Sequence, residues 1–256
     1  MKRATVALTA VISMSAGATT QIMPIGDSIT VGQVIGQPGI VTYVPAGSYR
    51  GILEAKLTEH FADFAFIGDF NTNPAPKAKF TFHNSLSGMG IGPIPGYGNV
   101  EYNRTAAWFP ERGGYHPDII LYLLGINDSN QGLTGEQILS NFTNNLNDIM
   151  ARRPNTMILV STLIGSSGST GWIGFNAALR STMGPIRQWQ MQGKKVRLID
   201  INQRNIYPYH MWDYIHPNAD GQSIIATEWF AALRSLVPMS GPKMVNPKDS
   251  EKFGKE

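Results

Sequence analysis

The sequence predicts a single doubly wound α/β domain, and three observations carry that prediction. Short, nearly continuous apolar runs alternate with longer segments of helical periodicity; the runs lack the polar-apolar alternation of a half-exposed sheet; and no internal repeat interrupts the order. Repeated strand-helix-strand units imply parallel strands, right-handed crossovers and helices on both faces. The 256 residues, 42% of them hydrophobic, suffice for a sizeable core and exclude disorder as the main state.

The chain opens with Met1, Lys2 and Arg3, followed by apolar or small residues from Ala4 to Ser15 and by Ala16-Gly17-Ala18. This reads as a secretory signal peptide over residues 1–18, cleaved after Ala18; an ordinary amphipathic or disordered N-terminus competes, because the run lacks a Leu-rich centre. The tripeptides at Asn103 and Asn141 fit N-glycosylation, but such triplets also arise by chance. Gln21 to Ile25 forms the first expected strand. Tyr49 to Phe61 is a helix by the spacing of Ile52, Leu53, Leu57 and Phe61, and Asp63 to Ile67 a second strand.

Asn71 to Tyr115 is irregular. Its stretch from Gly88 to Gly98, with five glycines and two prolines, reads either as a loop near a site or as a passive insertion. Asp118 to Leu124 is the third strand. Thr134 to Arg152 is a helix, with Thr134 and Gln137 placed as a capping box and Pro154 just past its end. Thr156 to Leu163 and Lys195 to Asp200 complete the sheet, on either side of a helical stretch from Trp172 to Gln192 interrupted at Gly184-Pro185. A last helix starts at the N-cap Asn218 and carries Ile224, Ile225, Trp229, Phe230 and Leu233. Ser240 to Glu256 lacks an apolar face, so the domain is drawn at residues 19–240, with 241–256 as a disordered tail.

Composition excludes several classes of function. The net charge is +3 and the isoelectric point about 9.1. Lys2 and Arg3 precede the domain, and four lysines against three acidic residues follow it; residues 19–240 hold 15 basic and 15 acidic side chains. The domain is formally neutral, so the basic isoelectric point does not mark a nucleic-acid surface. Zero cysteines remove disulfides, thiolate nucleophiles and Cys-based metal sites. No window approaches the run of about 18 apolar residues that a membrane span needs.

Ligands of an open parallel sheet bind beyond the carboxyl ends of its strands. Three polar segments fall there: Gly26-Asp27-Ser28 after the first strand, Gly125-Ile126-Asn127-Asp128 after the third, and Asp213 to His216 after the fifth. A serine after a strand is ordinarily an N-cap, and a histidine among aromatics is ordinarily structural. Together, however, they supply a nucleophile, a base and an orienting carboxylate: Asp213, three residues before His216, can hold one imidazole nitrogen while the other faces Ser28. Asn127 adds an amide donor where an oxyanion would develop. Gly26-Asp27-Ser28 has neither the glycine spacing nor the lysine of a phosphate loop.

These segments, in this order, resemble blocks one, three and five of the SGNH, or GDSL-type, hydrolases over residues 20 to 236. Ile22 to Thr30, Gly47-Ser48-Tyr49-Arg50 and Asp213 to Asn218 look most like carbohydrate esterase family 3, the acetyl xylan esterases. The resemblance implies a flavodoxin-like three-layer α/β/α sandwich on a central parallel sheet of about five strands. It implies catalysis by Ser28, His216 and Asp213, with an oxyanion hole from the Ser28 N–H, the Asn127 amide and a second-block N–H. The family's second block offers a glycine where this chain has His83-Asn84-Ser85-Leu86-Ser87-Gly88; Ser85 N–H is expected in the role, with Gly88 as the alternative register.

A secreted, extracellular monomer is expected, acting on acetylated polysaccharide or oligosaccharide with no metal or organic cofactor and with no nucleic-acid or membrane partner. His60, His83, His116 and His210 lack ligand spacing. Tyr207, Tyr209, Trp212 and Tyr214 crowd the approach to Asp213 and His216, either to stack on sugars or simply to pack the last loop. Two alternatives stand beside this reading: a lipase-like or lysophospholipase-like esterase, for which no dedicated apolar insertion is visible, and a noncatalytic carbohydrate-binding protein, which retention of all four polar residues disfavours.

Overall fold

The computed structural model describes residues 19–37, 40–43, 48–60, 63–71, 82–92, 105–110 and 112–237. The expected signal peptide, the tail, Phe61 and the second half of the Gly88 to Gly98 stretch lie outside these residues. In chain order the elements are β1 (Thr20–Gly26), α1 (Ser28–Val31), β2 (Gln33–Gln37), β3 (Ile40–Tyr43), α2 (Ser48–His60), β4 (Phe64–Phe66), β5 (Asn84–Ser85), α3 (Thr105–Trp108), β6 (Ile119–Leu123), α4 (Ile126–Asn130), α5 (Gly135–Arg152), β7 (Met157–Ser161), α6 (Gly171–Arg180), α7 (Pro185–Met191), β8 (Val196–Ile199), α8 (Ile206–Tyr209) and α9 (Ala219–Leu233).

The main sheet runs β4-β1-β6-β7-β8, all parallel, so the chain steps to one side of β1 and then returns to build outward on the other. Its apolar strands are covered on both faces: every residue of β6 and β7 is buried. Helices α2 and α9 pack together on one face, and α5 and α6 pack together on the other. Phe142 of α5 ties the second layer together, meeting Tyr122 of β6 edge-on at 5.8 Å and Phe175 of α6 at 5.3 Å. The expected three-layer α/β/α fold is the observed one.

Register at the upper end of β1 positions the site. β4 pairs with residues 20–22 of β1, whereas β5 takes over the same edge higher up, opposite Ile25 and Gly26. On the other side Gly26 lies opposite Leu123. Ser85, Gly26 and Leu123 therefore stand abreast, and whatever follows each of them leaves the sheet at one rim.

The helix signals in the sequence have direct counterparts. Thr134 Oγ1 accepts from Gln137 N–H at 3.3 Å while the Gln137 side chain accepts from Thr134 N–H at 2.9 Å, completing the capping box of α5. Asn218 Oδ1 accepts from Gly221 N–H at 3.0 Å and starts α9. The stretch from Trp172 to Gln192 is two helices, with Gly184 as N-cap and Pro185 in the first turn of the second. Sequence periodicity missed the antiparallel β2-β3 hairpin and placed no element between Asn71 and Tyr115, where β5 and α3 lie. Runs of two to five residues are too short to display a period.

Candidate active site

Ser28 opens α1, a one-turn helix directly beyond the tip of β1. Asp27 is its N-cap, accepting from Ile29 N–H at 2.9 Å. The turn is possible because residue 26 is glycine: a Cβ there would collide with the Thr30 side chain and stand 2.7 Å from Leu123 O.

So short a helix cannot satisfy its own carbonyls, and side chains from two other helices do so. Arg50 of α2 donates from Nε to Thr30 O at 2.8 Å and from Nη2 to Val31 O at 3.3 Å, and Ser48 Oγ donates to Thr30 O at 2.9 Å. Gln222 of α9 reaches Ile29 O at 3.5 Å and accepts from Tyr49 N–H at 2.9 Å. Arg50 is fully buried, and burial pulls its guanidinium down to about 10. Of the Gly47-Ser48-Tyr49-Arg50 segment, the last three residues brace the turn that carries Ser28. Gln222 gave no sequence signal.

His216 closes the relay from across the sheet. Ser28 Oγ–H donates to His216 Nε2 at 2.9 Å, and His216 Nδ1–H donates to Asp213 Oδ2 at 2.7 Å. A carboxylate can only accept, so the proton of the neutral ring belongs on Nδ1 and Nε2 is left as the acceptor facing the serine. The other carboxylate oxygen, Asp213 Oδ1, accepts from Ile215 N–H at 2.8 Å and His216 N–H at 2.7 Å. Burial opposes the charge of Asp213, but these backbone bonds and the imidazole outweigh it and hold the carboxyl below its ordinary range. The loop is closed by Trp212 N–H donating to His216 O at 2.8 Å and by the Met211–Pro217 bridge.

The three candidate oxyanion donors differ in placement. Ser85 is buried beside Gly26 at the rim, with its Oγ lacking a hydrogen-bond partner among the described residues. Gly88 is a turn residue: Met89 N–H returns to Leu86 O at 3.1 Å, and the φ of 78° at Gly88 is that of the third position of a type II turn. Asn127 lies in the first turn of α4 beyond β6, and its Nδ2 donates to Met89 O at 3.0 Å. A carbonyl can only accept, so this bond fixes which way the amide faces and occupies one of its two N–H groups.

Two buried carboxylic acids flank these residues. Asp128 accepts from Ile91 N–H at 2.9 Å and Gly92 N–H at 3.2 Å, holding the glycine-rich segment against α4. Burial raises its pKa despite those bonds. Asp27 is pushed up to about 7, chiefly by burial, with the Asp128 charge contributing. Of the remaining histidines, His83 is buried and driven down to about 2, by burial first and then by the Arg50 charge. Among the described residues no group of three or more histidine or carboxylate side chains is placed to hold a metal ion, and no helix is long and apolar enough to cross a membrane.

Comparisons with known proteins bear on the fold and the family. A "Multidomain esterase" of Ruminococcus flavefaciens is 27% identical over 267 residues; the alignment covers 91% of this chain but only 31% of that protein. A family 3 carbohydrate esterase from Clostridium thermocellum superposes with a TM-score of 0.63 at 23% identity, covering 86% of this chain and all of that one. Another, from Talaromyces cellulolyticus, gives 0.62 at 23% identity over 84% of this chain and 97% of the other. At such identity these two structures establish the fold. The profile of the GDSL-like lipase/acylhydrolase family matches residues 25–224, a span that begins three residues before Ser28 and ends eight after His216, and the chain belongs to that family.

Proposed function

We propose that this esterase removes O-acetyl groups from plant cell-wall polysaccharide outside the cell, as an acetyl xylan esterase, with Ser28, His216 and Asp213 as its catalytic residues. The observation that carries the chemistry is the continuous Ser28–His216–Asp213 relay at the carboxyl rim of the sheet. The polysaccharide assignment draws support from the family 3 pattern of the motifs and from the family 3 esterases among the structural relatives.

His216 Nε2 takes the proton from Ser28 Oγ as the oxygen attacks the ester carbonyl, and Asp213 stabilises the resulting imidazolium. Charge moves to the carbonyl oxygen. The Ser28 N–H, the Ser85 N–H and the second amide N–H of Asn127 are the donors assigned to it, with Gly88 serving the turn that follows Ser85. His216 then passes its proton to the departing sugar oxygen, leaving acetyl-Ser28. Water attacks this ester with the same base, acetate leaves, and the Ser28 hydroxyl is restored. Every proton moves through His216, so no metal-bound water is needed.

Acetate release from acetylated xylan, measured beside p-nitrophenyl esters of increasing acyl length, tests the assignment. Acetate should be the preferred acyl group and acetylated xylan a substrate. Preference for octanoate would replace this reading with a lipase-like one while leaving the relay intact.

A further inference from the structure

The last loop carries a feature that the catalytic relay does not use. Among the described residues the exposed large apolar side chains are Ile173, Met183, Met191, Tyr209, Trp212 and Tyr214, at 51, 77, 66, 76, 60 and 53% exposure. The three aliphatic ones are scattered over α6, α7 and the turn between them. The three aromatic ones fall within six residues of each other, and two of them flank the catalytic carboxylate, Asp213. Four aromatics of this loop were candidates from the sequence, and the structure sorts them: Tyr207 is half-buried and meets Trp172 edge-on at 6.3 Å, so its ring is occupied in packing.

Leaving three large rings in water is costly, because each exposes apolar surface that burial would remove. Their loop is not loose. Trp212 N–H is bonded to His216 O at 2.8 Å, and Ser167 N–H donates to Tyr214 O at 3.2 Å. Tyr214 also sits at a definite seam: a Cβ on Gly168 would stand 3.6 Å from Tyr214 Cδ2 and 2.9 Å from Asn130 Oδ1. Asn130 lies one turn after Asn127 on α4. The Tyr214 ring thus lies beside Gly168 and close to Asn130, one turn along α4 from the assigned oxyanion donor Asn127, and its backbone is next to the catalytic carboxylate.

We propose that Tyr209, Trp212 and Tyr214 form a stacking platform for the pyranose rings of a glycan chain that bears the scissile acetyl group. The C–H-rich face of a pyranose covers an aromatic face while its hydroxyls remain in water, and a row of such contacts suits a polymer of repeated rings more than an isolated small ester. The proposal rests on the acetyl-polysaccharide reading above and extends it from the acyl group to the leaving group.

Trp212→Ala, Tyr214→Ala and the double variant, each checked for an unchanged melting temperature, are assayed on acetylated xylan and on p-nitrophenyl acetate, which has no sugar ring. The ratio of kcat/KM for polymer to that for the small ester should fall by about tenfold in the double variant, mainly through KM on the polymer. An unchanged ratio would overturn the platform, whether both activities fell together or neither did. A second reading is independent of acetyl turnover: in a Ser28→Ala background, tryptophan emission is titrated with deacetylated xylo-oligosaccharide. A saturable change that disappears with Trp212→Ala supports the platform, and absence of any change overturns it. Failure of the wild type to release acetate from the polymer would instead remove the acetyl-polysaccharide reading.

Discussion

At the scale of single residues, the chemistry depends on groups whose environment restricts them to one state. Asn127 is the simplest case, since the Met89 carbonyl fixes its amide orientation. Asn127→Ala should lower kcat by a factor on the order of 100 or more, about 2.7–4 kcal/mol, with little change in KM, as steady-state kinetics on p-nitrophenyl acetate would show. Asp27 offers a different test. Its carboxyl is held near 7 in the folded protein against an ordinary 3.8, so the folded state keeps a proton that the unfolded chain has released. Its contribution to stability is therefore neutral below about pH 4, grows unfavourable as pH rises from about 4 to about 7, and levels off above that. Asp27→Asn retains an oxygen for Ile29 N–H without a charge to bury. Its melting temperature should match the wild type near pH 4 and exceed it at pH 8 by roughly 5 °C; a pH-independent difference would mean that Asp27 does not titrate in this range.

The elements show why some of this was legible in the sequence and some was not. Ser28 and Asn127 were legible because each follows a strand whose unbroken apolar run announces burial on both faces, and Asp213 and His216 because they come after the last strand of the same parallel sheet, whose carboxyl ends share one rim. Thr134 and Gln137 announced α5 because capping uses side chains that sequence displays. β5 escaped notice because two residues have no period, and its role is entirely one of register: it brings Ser85 opposite Gly26. The brace on α1 escaped for a related reason. The carbonyls that Ser48, Arg50 and Gln222 satisfy are backbone groups, up to 193 residues distant in sequence, and nothing at positions 29 to 31 advertises that they need donors. Arg50→Ala would leave Thr30 O with only the Ser48 donor and Val31 O without its guanidinium partner, and would empty a fully buried volume. Denaturant unfolding should show a loss of about 3 kcal/mol or more, with kcat falling further than KM changes because the Ser28 turn loses its support. Equal stability of variant and wild type would contradict the brace.

At the scale of the whole molecule, the separation of tasks is clear. One face of the sheet carries α2 and α9, which supply the brace and, through the loop before α9, His216 and Asp213; the other carries α5 and α6 with the Tyr122, Phe142 and Phe175 ring cluster. The formal neutrality of residues 19–240 suits the uncharged, esterified polymer proposed as substrate. The proposed polysaccharide substrate is not legible in composition or periodicity. It enters through the resemblance of a few motifs, and through an aromatic loop whose exposure only the fold displays.

The proposed mechanism requires Ser28 to act as a nucleophile that becomes acylated. Intact-protein and peptide mass spectrometry, on enzyme quenched in acid during turnover of p-nitrophenyl acetate, reads this directly. One acetyl group should be found on the peptide that contains Ser28, with neither adduct nor turnover above background in Ser28→Ala. Turnover at the wild-type rate by Ser28→Ala, with an acetyl group on another residue or on none, would contradict it.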